Sequence, residues 1–147
     1  MRYLLFLALL AGCGTDPVNS NTQEPVSDHA LEIEGVWSSN FDSDETITIT
    51  SWDVSSEWGE STTSIVDWSN EDNWVITQNS EDSEYSPGAY NLVVWTEIDN
   101  GSFYYCMADY GIETEEAARL SDAEFDSTDP SESGCGDFSW TQLTRVE

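Results

Sequence analysis

Residues 90–108, YNLVVWTEIDNGSFYYCMA, contain the clearest folding signal in the chain. Two runs rich in β-branched and aromatic side chains, residues 90–98 and 102–108, flank Asp99-Asn100-Gly101. Asn-Gly between two such runs is a preferred loop of tight β-hairpins, because both residues accept the positive φ that the turn requires. The segment therefore predicts two adjacent antiparallel strands.

Further strands are predicted on both sides of this hairpin. Their segments are residues 31–37, 46–50, 62–68, 73–79 and 138–146. Alternation of apolar and polar side chains with a period of two indicates a half-buried strand, with Ile47 and Ile49 directed inward. Residues 53–57 are polar and interrupt the pattern.

One short helix is predicted before the last strand. Residues 114–120 place Thr114 as an N-cap ahead of acidic residues, which the helix dipole favours in a first turn. A capping box would let residues 121–124 continue the helix. Residues 126–134 are rich in turn formers, so an irregular segment is predicted there.

Seven to eight short strands with one helical insertion predict an all-β fold. The alternatives are a small antiparallel barrel and a sandwich. We favour the barrel, because closure removes the strand edges that a secreted sheet must otherwise protect. Residues 31–147 are predicted to form a single acidic domain.

The composition is strongly acidic, with 3 Lys and Arg against 30 Asp and Glu and a net charge of −27. Such a surface repels nucleic acids and anionic lipid headgroups, so both are excluded as partners. The chain contains no lysine, which excludes Schiff-base chemistry and a P-loop. Because 12% of the residues are aromatic and 38% hydrophobic, we expect a folded core rather than a disordered chain.

The first residues contain a targeting motif. Arg2 precedes an apolar run, residues 4–10, that is shorter than the roughly 20 residues of a transmembrane helix. The run leads into Leu10-Ala11-Gly12-Cys13, which resembles the lipobox of bacterial lipoprotein precursors. The resemblance implies that residues 1–12 are a signal peptide and that Cys13 is acylated. Ordinary secretory cleavage just before the cysteine is the alternative.

The lipoprotein resemblance also implies a location. In this family an Asp after the cysteine retains the protein at the inner membrane, whereas Gly14 stands there in this chain. The cell envelope is therefore predicted as the location, with the outer membrane of a Gram-negative cell as anchor site and the membrane as a partner only through the lipid anchor. Residues 13–30 are mostly small or polar and predict a flexible linker with a reach of about 23 Å.

Cys106 and Cys135 are the remaining cysteines. In an oxidising envelope they predict a disulfide that joins the helical insertion to the sheet. It would close a loop of about 30 residues, for which chain entropy gives roughly 3.6 kcal/mol. A metal site is the alternative, but it lacks further Cys or His ligands.

Two more resemblances concern the domain itself. Residues 103–106, 114–118 and 134–141 resemble signatures of a small secreted β-domain that recurs in bacterial lipoproteins and has no assigned activity. Gly35-Val36-Trp37 resembles the Gly-x-Trp that opens lipocalins. That likeness implies a barrel with a cavity for a small apolar ligand.

No catalytic residue is predicted. His29 is the sole histidine and lies in the linker, so triads that require histidine are excluded. A carboxylate pair for glycoside hydrolysis has no specificity in a chain with 30 acids. We therefore expect a protein that is not an enzyme and uses no cofactor.

Five of the seven tryptophans fall into two groups. Trp37, Trp74 and Trp140 share faces with other apolar residues and are predicted to lie in the core. Trp52 and Trp58 flank the polar residues 53–57, so they are the candidates for exposed, ligand-binding aromatics.

Two acid clusters are candidate calcium sites, because calcium takes oxygen ligands. Their residues are Asp42, Asp44 and Glu45, and Glu81, Asp82 and Glu84. Neither matches a known calcium loop, and the alternative is a solvated acidic surface adapted to a saline habitat.

Together these features predict an outer-membrane lipoprotein with a non-catalytic role in binding or in envelope structure. A glycan, an envelope protein or a small apolar ligand is the expected partner. A lipocalin-like carrier of a small apolar ligand is the alternative function. An open, apolar-lined interior would favour the carrier, and a filled interior would favour surface interactions.

Overall fold

A computed structural model describes residues 30–132, 134–136 and 138–147. Eight strands form a closed barrel in which each strand pairs antiparallel with the next and β8 returns to β1. The strands are β1 Gly35–Ser39, β2 Asp44–Ile47, β3 Ser51–Ser56, β4 Gly59–Ser69, β5 Trp74–Asn79, β6 Tyr90–Trp95, β7 Ser102–Ile112 and β8 Thr141–Arg145. The predicted all-β barrel with one short helix is confirmed.

The hairpin between β6 and β7 forms as predicted. Asn100 and Gly101 have positive φ angles of 51° and 76°. Asp99 and Ser102 exchange two backbone hydrogen bonds of 2.8 and 2.9 Å. The Asn-Gly turn thus fixes the register of the two strands.

Strand β3 corrects the prediction for residues 53–57. Trp52 and Val54 pair with inward-facing residues of β2 and β4, while Asp53 and Ser55 face outward. Side chains therefore alternate along β3 as in other half-buried strands. Only two of them, Trp52 and Val54, are apolar and face inward. Polar side chains on the outer face concealed the strand.

The first two predicted strands, residues 31–37 and 46–50, also differ in their boundaries. Leu31 and Ile33 are buried as expected, but they lie in a turn that precedes β1 rather than in the strand. Ile49 was expected to face inward, and it is 45% exposed because it lies in the turn between β2 and β3. Ile47 is buried.

The interior of the barrel forms one apolar core. Its buried members are Leu31, Ile33, Trp37, Ile47, Trp52, Ile65, Val75, Val93, Trp95, Phe103 and Leu143. The turn before β1 closes one end, where Trp37 donates a hydrogen bond from Nε1 to the carbonyl of Ile33. The guanidinium of Arg145 lies 4.3 Å from the Trp37 ring centroid and covers it. We call this the closed end.

A second core lies on the outer face of β5, β6 and β7. It contains Ile76, Leu92, Val94, Cys106, Ala118, Cys135 and Trp140. The helix α1, Glu115–Arg119, covers this face, and Arg119 pairs with Asp67 of β4. Trp37 and Trp140 are buried as predicted, whereas Trp74 is half-buried against this outer core.

The helix starts as predicted and ends earlier than the capping box allowed. Thr114 accepts a hydrogen bond from the Ala117 amide as the N-cap. The hydroxyl of Ser121 accepts from the Ala123 amide and also donates to Asp109, so it caps a turn instead of extending the helix. No helix in the described residues has the length and apolar character needed to cross a membrane.

Candidate binding site at the open end of the barrel

The half of the barrel opposite the closed end contains a cavity of about 110 Å³. Alternate residues of five consecutive strands line it. They are Trp52, Val54, Ser61, Thr63, Thr77, Val93, Tyr105 and Met107. We call this cavity the inner chamber. The space is left because β4 contributes only the small side chains of Ser61 and Thr63 to this part of the interior, where larger residues would fill it.

A buried carboxylate holds the two aromatic rings of the inner chamber. Glu45 is 1% exposed and accepts hydrogen bonds from Trp52 Nε1 at 2.7 Å and from the Tyr105 hydroxyl at 3.2 Å. Ser43 donates a third bond at 3.3 Å. The rings of Trp52 and Tyr105 meet edge to face, with centroids 4.8 Å apart. Both rings are therefore fixed in orientation.

Burial raises the pKa values of both Glu45 and Tyr105. Desolvation raises the pKa of Glu45, and the three hydrogen bonds to it offset that effect only in part. Burial and the neighbouring Glu45 charge also raise the pKa of the Tyr105 hydroxyl, which keeps it neutral and able to donate.

A second polar group inside the barrel is fully paired. Asn91 is 0% exposed, and its Nδ2 donates to Thr77 Oγ1 at 3.1 Å and to Asn79 Oδ1 at 2.9 Å. Its Oδ1 accepts from the Gly111 amide at 3.1 Å. The Thr77 hydroxyl that lines the inner chamber therefore belongs to an ordered network.

The inner chamber adjoins a wider groove of about 550 Å³ at the mouth of the barrel. The two share Ser61, Thr63 and Met107 as lining residues. The remaining lining of the groove is Glu60, Thr62, Asn79, Ser80, Asp82, Ser83, Glu84, Tyr85 and Tyr110. We call it the mouth groove. The inner chamber is itself only partly enclosed, and the mouth groove lies beside it.

Exposed aromatics surround this opening. Trp58 lies at the β3–β4 turn and is 89% exposed. Tyr85 is 68% exposed, and Tyr110 donates a hydrogen bond to its carbonyl at 3.2 Å. Exposed aromatic rings at a cavity mouth offer stacking surface to a ligand.

Two other grooves lie on the outer surface. One runs along residues 67–71, and the other lies between residues 123–126 and Gly134 and Gly136. Each is lined by one or two local segments. The inner chamber is lined by five strands, so it is the better enclosed site.

The predicted ligand-binding tryptophans have different positions. Trp52 is 5% exposed, so its predicted exposure is wrong, because it occupies an inward position of β3. It nevertheless lines the inner chamber. Trp58 is exposed as predicted, and its role in binding stays a prediction.

The acid clusters do not assemble into a metal centre. Asp44 faces solvent and Glu45 faces the interior, because they are neighbours on β2. Asp82 and Glu84 line the mouth groove, and Glu81 does not. No group of three or more His, Cys, Asp or Glu side chains in the described residues is arranged to hold a metal ion.

The disulfide forms between Cys106 and Cys135, with Cα atoms 5.5 Å apart. It ties the segment after α1 to β7 on the outer face of the barrel. Cys13 and most of the predicted linker lie outside the described residues.

Sequence reasoning did not identify Glu45, Tyr105 and Met107 as neighbours inside the barrel. A signal was available, because Tyr105 and Met107 alternate with Cys106 on β7 and share a face with Phe103. Glu45 likewise alternates with Asp44 and shares a face with Ile47.

Comparison with protein-family models, with curated proteins and with solved structures found no match to this chain.

Proposed function

We propose that this chain is a lipid-anchored envelope protein whose barrel binds a small, largely apolar ligand without chemical conversion. The observation that supports it is a partly enclosed inner chamber with two aromatic rings, two valines and a methionine, which adjoins the mouth groove. Ligand sites are typically concave and apolar with a few fixed polar groups. The lipobox resemblance supports the anchor.

The volume of the inner chamber limits the size of the ligand that it can bind. An engineered apolar cavity of about 150 Å³ binds benzene. At about 110 Å³ the inner chamber holds a short alkyl chain or one small ring, and the rest of a larger ligand lies in the mouth groove.

Met107 provides a direct test. It lines the inner chamber and is the only methionine after residue 1. We would use residues 13–147 with Cys13→Ser, which carries no acyl chain, and follow the ¹³C-methyl resonance of Met107 during titration with 1-hexanol. The expected result is a saturable shift.

A matched pair of variants tests whether the shift of the Met107 resonance comes from binding in the inner chamber. Val54→Phe fills the inner chamber and should abolish the shift, whereas Val36→Phe adds the same ring to an outward position of β1 that is 48% exposed. The absence of a shift in the parent chain, or an unchanged titration in Val54→Phe, would refute binding in the inner chamber.

Glycan binding through the rim is a second candidate, supported by the 89% exposure of Trp58. Aromatic faces stack on apolar faces of sugars. Trp58→Ala should abolish retention on envelope glycans while leaving the 1-hexanol titration unchanged. Equal retention of the parent chain and the Trp58→Ala variant on envelope glycans would exclude this role.

A further inference from the structure

We propose that the ligand of this site is a cationic amphiphile, a small molecule with an alkyl or aromatic part and an ammonium or amidinium group. The inference rests on the proposed function, because it requires the apolar part to enter the inner chamber. It adds that the mouth groove selects for positive charge.

The mouth groove contains acids without counter-charges. Glu60, Asp82 and Glu84 are its charged lining residues, and none of the residues that line it is basic. Within residues 30–132, no side-chain hydrogen bond or ion pair engages these three carboxylates. The other polar lining groups are mostly hydroxyls and amides.

The arginines of the barrel are committed elsewhere. Arg119 pairs with Asp67 and Glu115 beside the helix. Arg145 covers Trp37 at the closed end and bonds the carbonyl of Glu34. Because the chain contains no lysine, no described residue can neutralise the mouth groove from within.

Charge and aromatic rings at the opening favour the same kind of ligand. A chain of net charge −27 attracts cations and repels carboxylates and phosphates, and a cleft concentrates that field. Tyr85 and Tyr110 line the mouth groove and present rings to which an ammonium group is attracted. A fatty acid has the apolar part but the wrong charge.

Three probes of equal chain length test the selection: hexylamine, 1-hexanol and hexanoate. Each would be titrated at pH 7 and low salt against residues 13–147 with Cys13→Ser, with the Met107 methyl resonance as readout. Hexylamine should bind at least tenfold more tightly than 1-hexanol, and hexanoate more weakly than both.

Two triple variants of equal charge separate the mouth groove from the whole-molecule field. Glu60→Gln, Asp82→Asn and Glu84→Gln remove the acids of the mouth groove. Glu71→Gln, Glu97→Gln and Glu147→Gln remove three exposed acids outside it. All six positions are on the surface of an acidic protein, so both variants should fold.

The mouth-groove variant should lose the preference for hexylamine and keep its affinity for 1-hexanol, while the second variant keeps both. Equal affinities for hexylamine and 1-hexanol in the parent chain would overturn the proposed selectivity alone. An equal loss in both variants would also overturn it, because the preference would then come from net charge. Failure of all three probes to shift Met107 would instead overturn the proposed function.

Discussion

At the residue scale, Glu45 arranges the interior of the barrel. A carboxylate is tolerated in an apolar core only when its oxygens are hydrogen-bonded. Trp52, Tyr105 and Ser43 supply these bonds. The same bonds orient the two rings that line the inner chamber, so Glu45 is a positioning residue for the site.

The raised pKa of Glu45 predicts how stability depends on pH. The pKa of Glu45 in the folded protein lies above its ordinary value of 4.5, so the folded protein binds the proton more tightly than the unfolded chain. Stability from this group is complete below about 4.5 and is lost as pH rises through the folded pKa. Glu45→Gln should therefore gain stability relative to the parent chain as pH rises through that window, by at most about 1.4 kcal/mol per pH unit.

Melting temperatures between pH 4 and 8 measure this difference. Asp44→Asn is the matched control, because it removes a neighbouring acid that faces solvent. This control corrects for the removal of one acid from a chain of net charge −27. Parallel curves for Glu45→Gln and the parent chain would contradict the buried carboxylate.

At the element scale, the outer layer depends on the Cys106–Cys135 disulfide. The bridge spans 29 residues and fixes the segment that follows α1 to β7. Cys106→Ala and Cys135→Ala should each lower the free energy of unfolding by up to roughly 3.6 kcal/mol, as the chain-entropy model gives for such a loop. The double variant should be no less stable than either single variant. Denaturant unfolding measures all three, and additive losses would mean that the pair does not act as one bond.

Local signals predicted some elements and missed others for identifiable reasons. The β6–β7 hairpin was predictable because Asn100-Gly101 encodes its own turn. Strand β3 was missed because only Trp52 and Val54 contribute apolar side chains. Alternation along β2 and β7 indicated that Glu45 and Tyr105 face inward, but their contact was not predictable, since Tyr105 lies 60 residues away and meets Glu45 only after the barrel closes.

At the scale of the whole molecule, the lipid anchor is a prediction that rests on residues 10–13. Cys13→Ser should abolish palmitate labelling in cells and leave an unprocessed precursor or a soluble form. Palmitate labelling and membrane fractionation of the parent chain and the Cys13→Ser variant measure the acylation and the membrane attachment. Unchanged labelling in the variant would exclude the lipoprotein assignment.

The net charge of −27 predicts a response to salt. The negative charges of a folded acidic protein repel one another and destabilise the compact state. At 0.1 M salt, exposed charges more than about 10 Å apart are largely screened. Stability should therefore rise with ionic strength. At fixed ionic strength, replacing sodium by calcium should give a small, gradual gain similar to that with magnesium, because the described acids form no group arranged for a metal ion. A thermal shift that saturates at micromolar calcium would show a specific site instead.

In the function that we propose, the open half of the barrel is a ligand chamber. The most direct measurement is the set of intermolecular nuclear Overhauser effects between bound 1-hexanol and the labelled methyl of Met107. The terminal methyl of the alcohol should contact Met107 and the methyl groups of Val54 and Val93, which line the same chamber. Saturable binding without any contact to these three residues would contradict the claim.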